Sequence, residues 1–228
     1  MTRTIFITGT GTDVGKTVVT RGVVRALVNR GVNLRAVKPI ESGVPIVNGR
    51  AQPHDATALI RAAKQQHSIE QTCRYMFGAA VSPHLAARME NQVIDLDEVR
   101  IFLEQASQDC DLLLSEGAGG LMVPITETTL FADFVASFKA ELLIISPNIL
   151  GTINTTLLTI EAARKRDIPI LGVILNHGEN NSVKNDEAIA LFGQVPIIGT
   201  FPCLDDIDDD DALAAAAAQY LDLDKLNP

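Results

Sequence analysis

The run Gly9-Thr10-Gly11-Thr12-Asp13-Val14-Gly15-Lys16-Thr17 carries the strongest chemical signal in the chain. Glycines let a backbone curl until several N–H groups face one anion, and a helix opening there adds about half a positive charge. At the end of the run, Lys16 can bridge the β- and γ-phosphates of a nucleotide and the Thr17 hydroxyl can ligate Mg²⁺. The match to the usual phosphate-loop spacing is not strict: the first glycine of that pattern falls at Thr10, and Gly9 lies one residue earlier. A second cluster is Glu116-Gly117-Ala118-Gly119-Gly120. A carboxylate at the C-terminal end of a strand lies where ligands sit in open α/β sheets. Glu116 can hold Mg²⁺ there, while the glycines let backbone approach a substrate closely. A plain turn is the competing reading. Lys38, in Lys38-Pro39-Ile40-Glu41-Ser42-Gly43, ends another apolar segment and can face the same crevice. Taken alone it reads as a surface lysine.

These residues need a scaffold, and the sequence predicts one. Thr4–Thr8, Leu34–Lys38, Leu112–Ser115, Leu142–Ser146, Ile168–Leu175 and Ile197–Phe201 are short runs rich in Ile, Leu and Val with little alternation. Strands covered on both faces read this way. Between them, Thr17–Arg30 has apolar residues at helical spacing, with Gly31 as a stop. Asp95–Gln108 opens with Asp95 and Glu98 at capping-box spacing, and Thr152–Arg166 ends in three basic residues suited to the negative end of a helix dipole. Alternating strands and helices imply βαβ units. The expected fold is α/β: a P-loop NTPase-like, three-layer arrangement with a mostly parallel central sheet and helices on both faces. With no linker-like stretch and no repeat, residues 1–228 are expected to form one domain. The acidic run 205–211 reads as a solvated loop whose aspartates open a helix.

Composition narrows the function. The net charge of −9 argues against a broad basic face for nucleic acid, though not against a local cationic pocket. Cys73, Cys110 and Cys203 are far apart and read as thiols of a reducing compartment. The N-terminal apolar stretch is too short for a signal peptide, and no run reaches the roughly 18–20 residues of a membrane span. A cytoplasmic location is expected. The histidines (His54, His67, His84 and His177) show no metal-ligand spacing.

Taken together, the motifs resemble the dethiobiotin synthetase family. The resemblance runs from Phe6 to about Leu204. Gly9–Thr17 fits every fixed position of the family loop Gly-Thr-x-Thr-x-Val-Gly-Lys-Thr, and Lys38–Gly43 fits Lys-Pro-x-x-Ser/Thr-Gly. Asp55-Ala56 matches an Asp-Ala pair opening a helix, Ser82-Pro83-His84 a Ser-Pro-His segment, Glu116–Gly120 the glycine-rich element, and Leu150–Asn154 a Leu-Gly-x-x-Asn segment. Departures are Leu121, where many members carry an aromatic residue, His54, where a small polar residue is frequent, and the segment after Pro202, which runs into the acidic stretch.

The resemblance implies an ATP- and Mg²⁺-dependent cyclo-ligase. Such an enzyme joins CO₂ (or bicarbonate) to 7,8-diaminononanoate and closes a ureido ring, releasing ADP and phosphate. It implies that the backbone of Thr12, Asp13, Val14, Gly15, Lys16 and Thr17 cradles the phosphates, and that Thr17, Asp55 and Glu116 lie on the metal side. Lys38 would contact carbamate and γ-phosphate, with Lys16 as the second catalytic cation. Ser42, Gly119 and Gly120 would touch substrate. Asn176 would read adenine beside Pro202, Cys203 and Leu204. Asn154 would bind the distant carboxylate of the substrate from the other subunit of a homodimer. Asp13 would orient or deprotonate an amine, or else only shape the loop through an Asx turn. The competing class is a regulatory ATPase of the partitioning and septum-positioning kind. Those switches carry a lysine early in the loop, where this chain has Gly11, and often use a basic surface or membrane helix that this sequence does not show.

Overall fold

The computed structural model describes residues 2–138, 140–176 and 185–228. Along the chain come β1 (Arg3–Gly9), α1 (Lys16–Asn29), β2 (Leu34–Val37), β3 (Ile40–Ser42), the pair β4 (Ile46–Val47) and β5 (Arg50–Ala51), α2 (His54–Ala62), β6 (Tyr75–Phe77), α3 (Pro83–Met89) and α4 (Leu96–Ala106). Next are β7 (Leu112–Gly120), α5 (Phe131–Ala136), β8 (Glu141–Pro147), α6 (Thr152–Arg164), β9 (Ile170–Asn176), α7 (Asn185–Gly193), β10 (Ile197–Phe201) and α8 (Asp210–Tyr220).

The strands read from the sequence are present and form one 6-stranded sheet of order β10-β9-β8-β1-β7-β2. Every pairing in it is parallel. Alternate residues of a strand face opposite sides of a sheet. On one side Ile5 and Ile7 of β1 join Val19, Val23 and Leu27 of α1 and Leu213 and Ala217 of α8. On the other, Phe6 joins Phe102 of α4, Phe131 and Phe134 of α5 and Ile160 of α6. Both faces are therefore covered, which is why these strands lack polar alternation. The Phe6 ring meets Phe131, Phe134 and Phe138 edge-on, with centroids 6.1, 6.4 and 5.3 Å away. Truncating Phe6 to alanine would cost about 3–5 kcal/mol in a core this tightly packed.

Three local readings change. β7 does not stop at Ser115 but continues through the glycines to Gly120. Its register with β1 slips between Ile7↔Glu116 and Gly9↔Gly120, a bulge that bends the strand where it passes the phosphate loop. A Cβ on Gly117 would lie 2.5 Å from the Phe131 ring, so glycine is what lets the strand pass under α5. At α4 the expected box does not close: Asp95 accepts from the Asp97 N–H, while Glu98 is taken by Arg74 and by the Tyr75 hydroxyl. The acidic run does open α8, with Asp209 accepting from the N–H groups of Asp211 and Ala212. Asp210, however, is buried rather than solvated. It pairs with Arg21 of α1 at 2.7 Å and with Arg61 of α2 at 2.7 Å.

Between β2 and β7 the chain leaves the main sheet. β3 pairs in parallel with β6, and β4 and β5 form a hairpin. This excursion brings Ser42, Asp55 and Ser82 to the C-terminal edge of the sheet. Among the described residues no helix is long and apolar enough to cross a membrane.

Candidate functional site

The site gathers the segments just beyond the C-terminal ends of the strands, the position where open α/β sheets bind ligands. The loop after β1 turns into α1 at Gly15, whose φ of 82° lies in the left-handed region. A side chain there would also run into the Asn176 amide. That amide, at the end of β9, donates from Nδ2 to the Val14 carbonyl at 3.1 Å and so ties the loop to the sheet. Asp13 is exposed and also left-handed, at φ 56°.

Lys16 opens α1 and is 7% exposed. Its Nζ folds back to donate to the Gly11 carbonyl at 3.1 Å. Burial, and then the Lys38 charge, lower its pKa from the ordinary lysine value. An ammonium held in this way is stabilised by an incoming anion.

Lys38 lies one residue beyond β2 and is 4% exposed, so the sequence reading of a surface lysine does not hold. Its Nζ donates to Glu116 Oε1 at 2.8 Å and to the Gly117 carbonyl at 3.2 Å, and sits 2.8 Å from Asp55 Oδ2. Burial opposes its charge, but Glu116 and Asp55 overcome that and raise its pKa. The same pairing works in reverse on Asp55. Burial pushes its carboxyl up, and Lys38 outweighs this and holds it below the usual carboxylate range. Glu116 Oε1 also accepts from the Thr17 hydroxyl at 2.8 Å. Its other oxygen, Oε2, is buried and has no hydrogen-bond partner.

That orphaned oxygen bears on Mg²⁺. Thr17, Asp55 and Glu116 converge as hard oxygen donors, and Mg²⁺ favours one or two carboxylates plus water and substrate phosphates over a closed protein cage. Among the described residues no cluster of three or more His, Cys, Asp and Glu side chains forms such a cage. A buried carboxylate oxygen left without a donor is stabilised by a cation. The residues fit the ion.

A cavity of about 260 Å³ is lined by Asp13, Lys16, Thr17, Lys38, Ser42 and Asp55 among others. A second cavity, of about 400 Å³, shares Thr12, Asp13, Ser42 and Gly119 with it and extends to Ser82, Pro83 and Val123. Gly120 does not line either; it packs against Gly9 and Gly11 of the loop. Pro202, Cys203 and Leu204 come directly after β10, whose Phe201 pairs with Asn176, and they line neither cavity. Asn154 is exposed on α6 and lines neither cavity. His54 is exposed, His84 Nδ1 contacts the Ser82 hydroxyl at 3.0 Å, and His177 lies outside the described residues.

Glu41 is a site residue that sequence reasoning misses. It is 5% exposed, lines the smaller cavity and accepts from the backbone N–H groups of Asp55 and Ala56. The bonds span 14 and 15 residues, so no local pattern announces them.

Comparison with known proteins bears on the family and the fold. A family profile described as an AAA domain matches residues 3–211. A protein of Halalkalibacterium halodurans named ATP-dependent dethiobiotin synthetase BioD is 37% identical over 210 residues, covering 90% of this chain and 86% of that one. One of the same name from Clostridium botulinum (strain Eklund 17B) is 28% identical over 225 residues, covering 97% and 99%. Among solved structures, a ParA family ATPase from Chlorobium tepidum TLS superposes with a TM-score of 0.56 at 16% identity, over 99% of this chain and 93% of that chain. At that identity the likeness concerns the fold.

Proposed function

The chain belongs to the ATP-dependent dethiobiotin synthetases, and we propose that it closes the ureido ring of dethiobiotin from 7,8-diaminononanoate, CO₂ and ATP as one synthetase domain. The observation that carries this reading is the Lys38 ammonium, held between Glu116 and Asp55 at the wall of the cavity that Lys16 and the phosphate loop also line.

The chemistry requires two anions to meet. One amine of the substrate adds to CO₂ and loses a proton, giving a carbamate. A carbamate oxygen attacks the γ-phosphorus of ATP, the bond to the β-phosphate oxygen breaks, and ADP leaves. The second amine attacks the carbamoyl carbon of the resulting carbamic–phosphoric anhydride. Phosphate departs with the former carbamate oxygen, the amine loses its proton and the ring is closed. Lys38 and Lys16 offset the repulsion between carbamate and γ-phosphate, and electrostatic stabilisation of this kind dominates phosphoryl transfer. Loop N–H groups from Thr12 to Thr17 hold the phosphates. Ser42 and the Gly119 backbone border both cavities and orient the carbamate, with Gly120 supporting the loop from behind. Asp13, exposed at the shared edge, orients an amine. Thr17, Asp55 and Glu116 would hold Mg²⁺, which when bound neutralises charge on the β- and γ-phosphate oxygens. Asn176 presents its carboxamide oxygen to adenine beside Pro202–Leu204, its nitrogen being engaged by Val14. Asn154 serves the substrate's carboxylate across a homodimer interface.

The test is product formation. Purified protein with Mg-ATP, bicarbonate and diaminononanoate should yield dethiobiotin by mass spectrometry, with phosphate release dependent on the diamine. ATP turnover indifferent to the diamine would point instead to a switch of the partitioning and septum-positioning kind.

A further inference from the structure

We infer that Glu41 is a positioning residue of the metal-side cluster: by accepting from the first backbone N–H groups of α2, it holds Asp55 against Lys38. The inference rests on the site reading above and extends it to a residue at one of the two unspecified positions of the Lys-Pro-x-x-Ser/Thr-Gly element.

The geometry is direct. Glu41 belongs to β3, the short strand that leads from Lys38 to Ser42. Its Oε1 accepts from the Asp55 N–H at 3.0 Å and its Oε2 from the Ala56 N–H at 3.0 Å. Both oxygens are therefore spent on one helix start. The first N–H groups of any helix lack partners within the helix and carry partial positive charge. α2 has no side-chain cap of its own, because Pro53 precedes it. Glu41 takes that role from 14 residues upstream. The consequence reaches the site through Asp55 itself, whose N–H is bound by Glu41 and whose carboxylate lies 2.8 Å from Lys38 Nζ. A residue bonded at both ends has little freedom to turn. Lys38 in turn meets Glu116, and Glu116 meets Thr17. Thus β3 sets where the metal-side carboxylate stands relative to the phosphate loop. A second carboxylate buried this near Asp55 would otherwise work against the cluster, since like charges repel; its bonds to α2 explain why it is there. Burial pushes the Glu41 carboxyl up, and the two N–H groups of α2 pull against that.

The experiment uses the full chain and reads structure and nucleotide binding, not ring closure. Glu41→Gln keeps one acceptor and turns an amide N–H₂ against a backbone N–H. Amide hydrogen exchange at Asp55 and Ala56 in the free protein should then quicken about tenfold relative to residues later in α2. By calorimetry, ADP affinity without Mg²⁺ should stay within about twofold, while the gain in affinity that Mg²⁺ brings should fall about tenfold, the scale typical of residues that orient metal ligands. Glu41→Asp, which keeps the charge, should recover part of that gain. In an Asp55→Ala background, Glu41→Gln should cause no further loss. An unchanged Mg²⁺ effect in Glu41→Gln, or an equal loss with and without Asp55, would overturn the inference. Failure to form dethiobiotin with the cycle intact would instead sink the proposed function and leave the positioning role standing.

Discussion

Lys38 offers the sharpest quantitative test of the site. Lys38→Met keeps the length of the side chain and removes its charge. Two carboxylate oxygens, each 2.8 Å from the lost nitrogen, would then face each other roughly 5 Å apart. At an effective dielectric of about 20 that repulsion is about 3 kcal/mol. Breaking a buried ion pair by removing one partner costs about 3–5 kcal/mol, and because a third of the Asp55 side chain is open to solvent the lower end applies. The pH dependence is the discriminating part. In the native protein the Lys38 pKa is raised, so its contribution is complete below the unfolded lysine value and is lost only as pH rises through the folded one. Asp55 is depressed, so its contribution is present above the unfolded carboxylate value and lost as pH falls through the folded one. Between pH 5 and 8 these two groups leave native stability nearly flat. Without Lys38, burial and the neighbouring carboxylate leave Asp55 binding a proton more readily in the folded than in the unfolded chain. Stability of the variant should then rise as pH falls, by up to about 1.4 kcal/mol per pH unit. Urea unfolding of both proteins at several values from pH 5.5 to 7.5, without nucleotide or Mg²⁺, measures this. The deficit should be about 3 kcal/mol at the upper end and narrow towards the lower. A deficit that does not change with pH would mean that Lys38 does not hold Asp55 in its charged form.

Asp210→Asn leaves Arg21 and Arg61 without their buried anion and should cost about 3 kcal/mol, a fall in Tm of about 10 °C at this length by calorimetry. The Asp210 carboxyl is held down by Arg61 and Arg21 against burial, so this contribution should be present above the ordinary carboxylate range and fade as pH falls below it. Gly15→Ala forces a side chain into the left-handed region and onto the Asn176 amide; nucleotide affinity by fluorescence titration should drop about tenfold or more. Lys16→Met removes a buried cation from the phosphate cavity, and Mg-ADP affinity should fall about 10- to 100-fold while the fold, by circular dichroism, is retained.

What the sequence discloses and what it hides divide along the reach of the interactions. The phosphate loop is legible because its glycines, lysine and threonine are adjacent. The sheet is legible because strands buried on both faces leave unbroken apolar runs, and Ile197–Phe201 has the same bounds in the fold as in the sequence pattern. Lys38 passes for a surface residue because its partners, Asp55 and Glu116, lie far along the chain. Asp210 looks solvated within its acidic run for the same reason, since Arg21 is 189 residues away. The glycines after Glu116 leave a plain turn as a competing reading because glycine marks turns more often than strands; only the Phe131 ring overhead shows why a strand here needs them. The hairpin and the β3–β6 pair escape sequence reasoning, since strands of two or three residues carry too little pattern to register.

The most direct measurement traces oxygen. In a single turnover with Mg-ATP, diaminononanoate and doubly ¹⁸O-labelled CO₂, ring closure through a phosphorylated carbamate should place one labelled oxygen in the released phosphate and leave the other in the ureido carbonyl of dethiobiotin. Dethiobiotin that forms with its label intact beside unlabelled phosphate would contradict the proposed path.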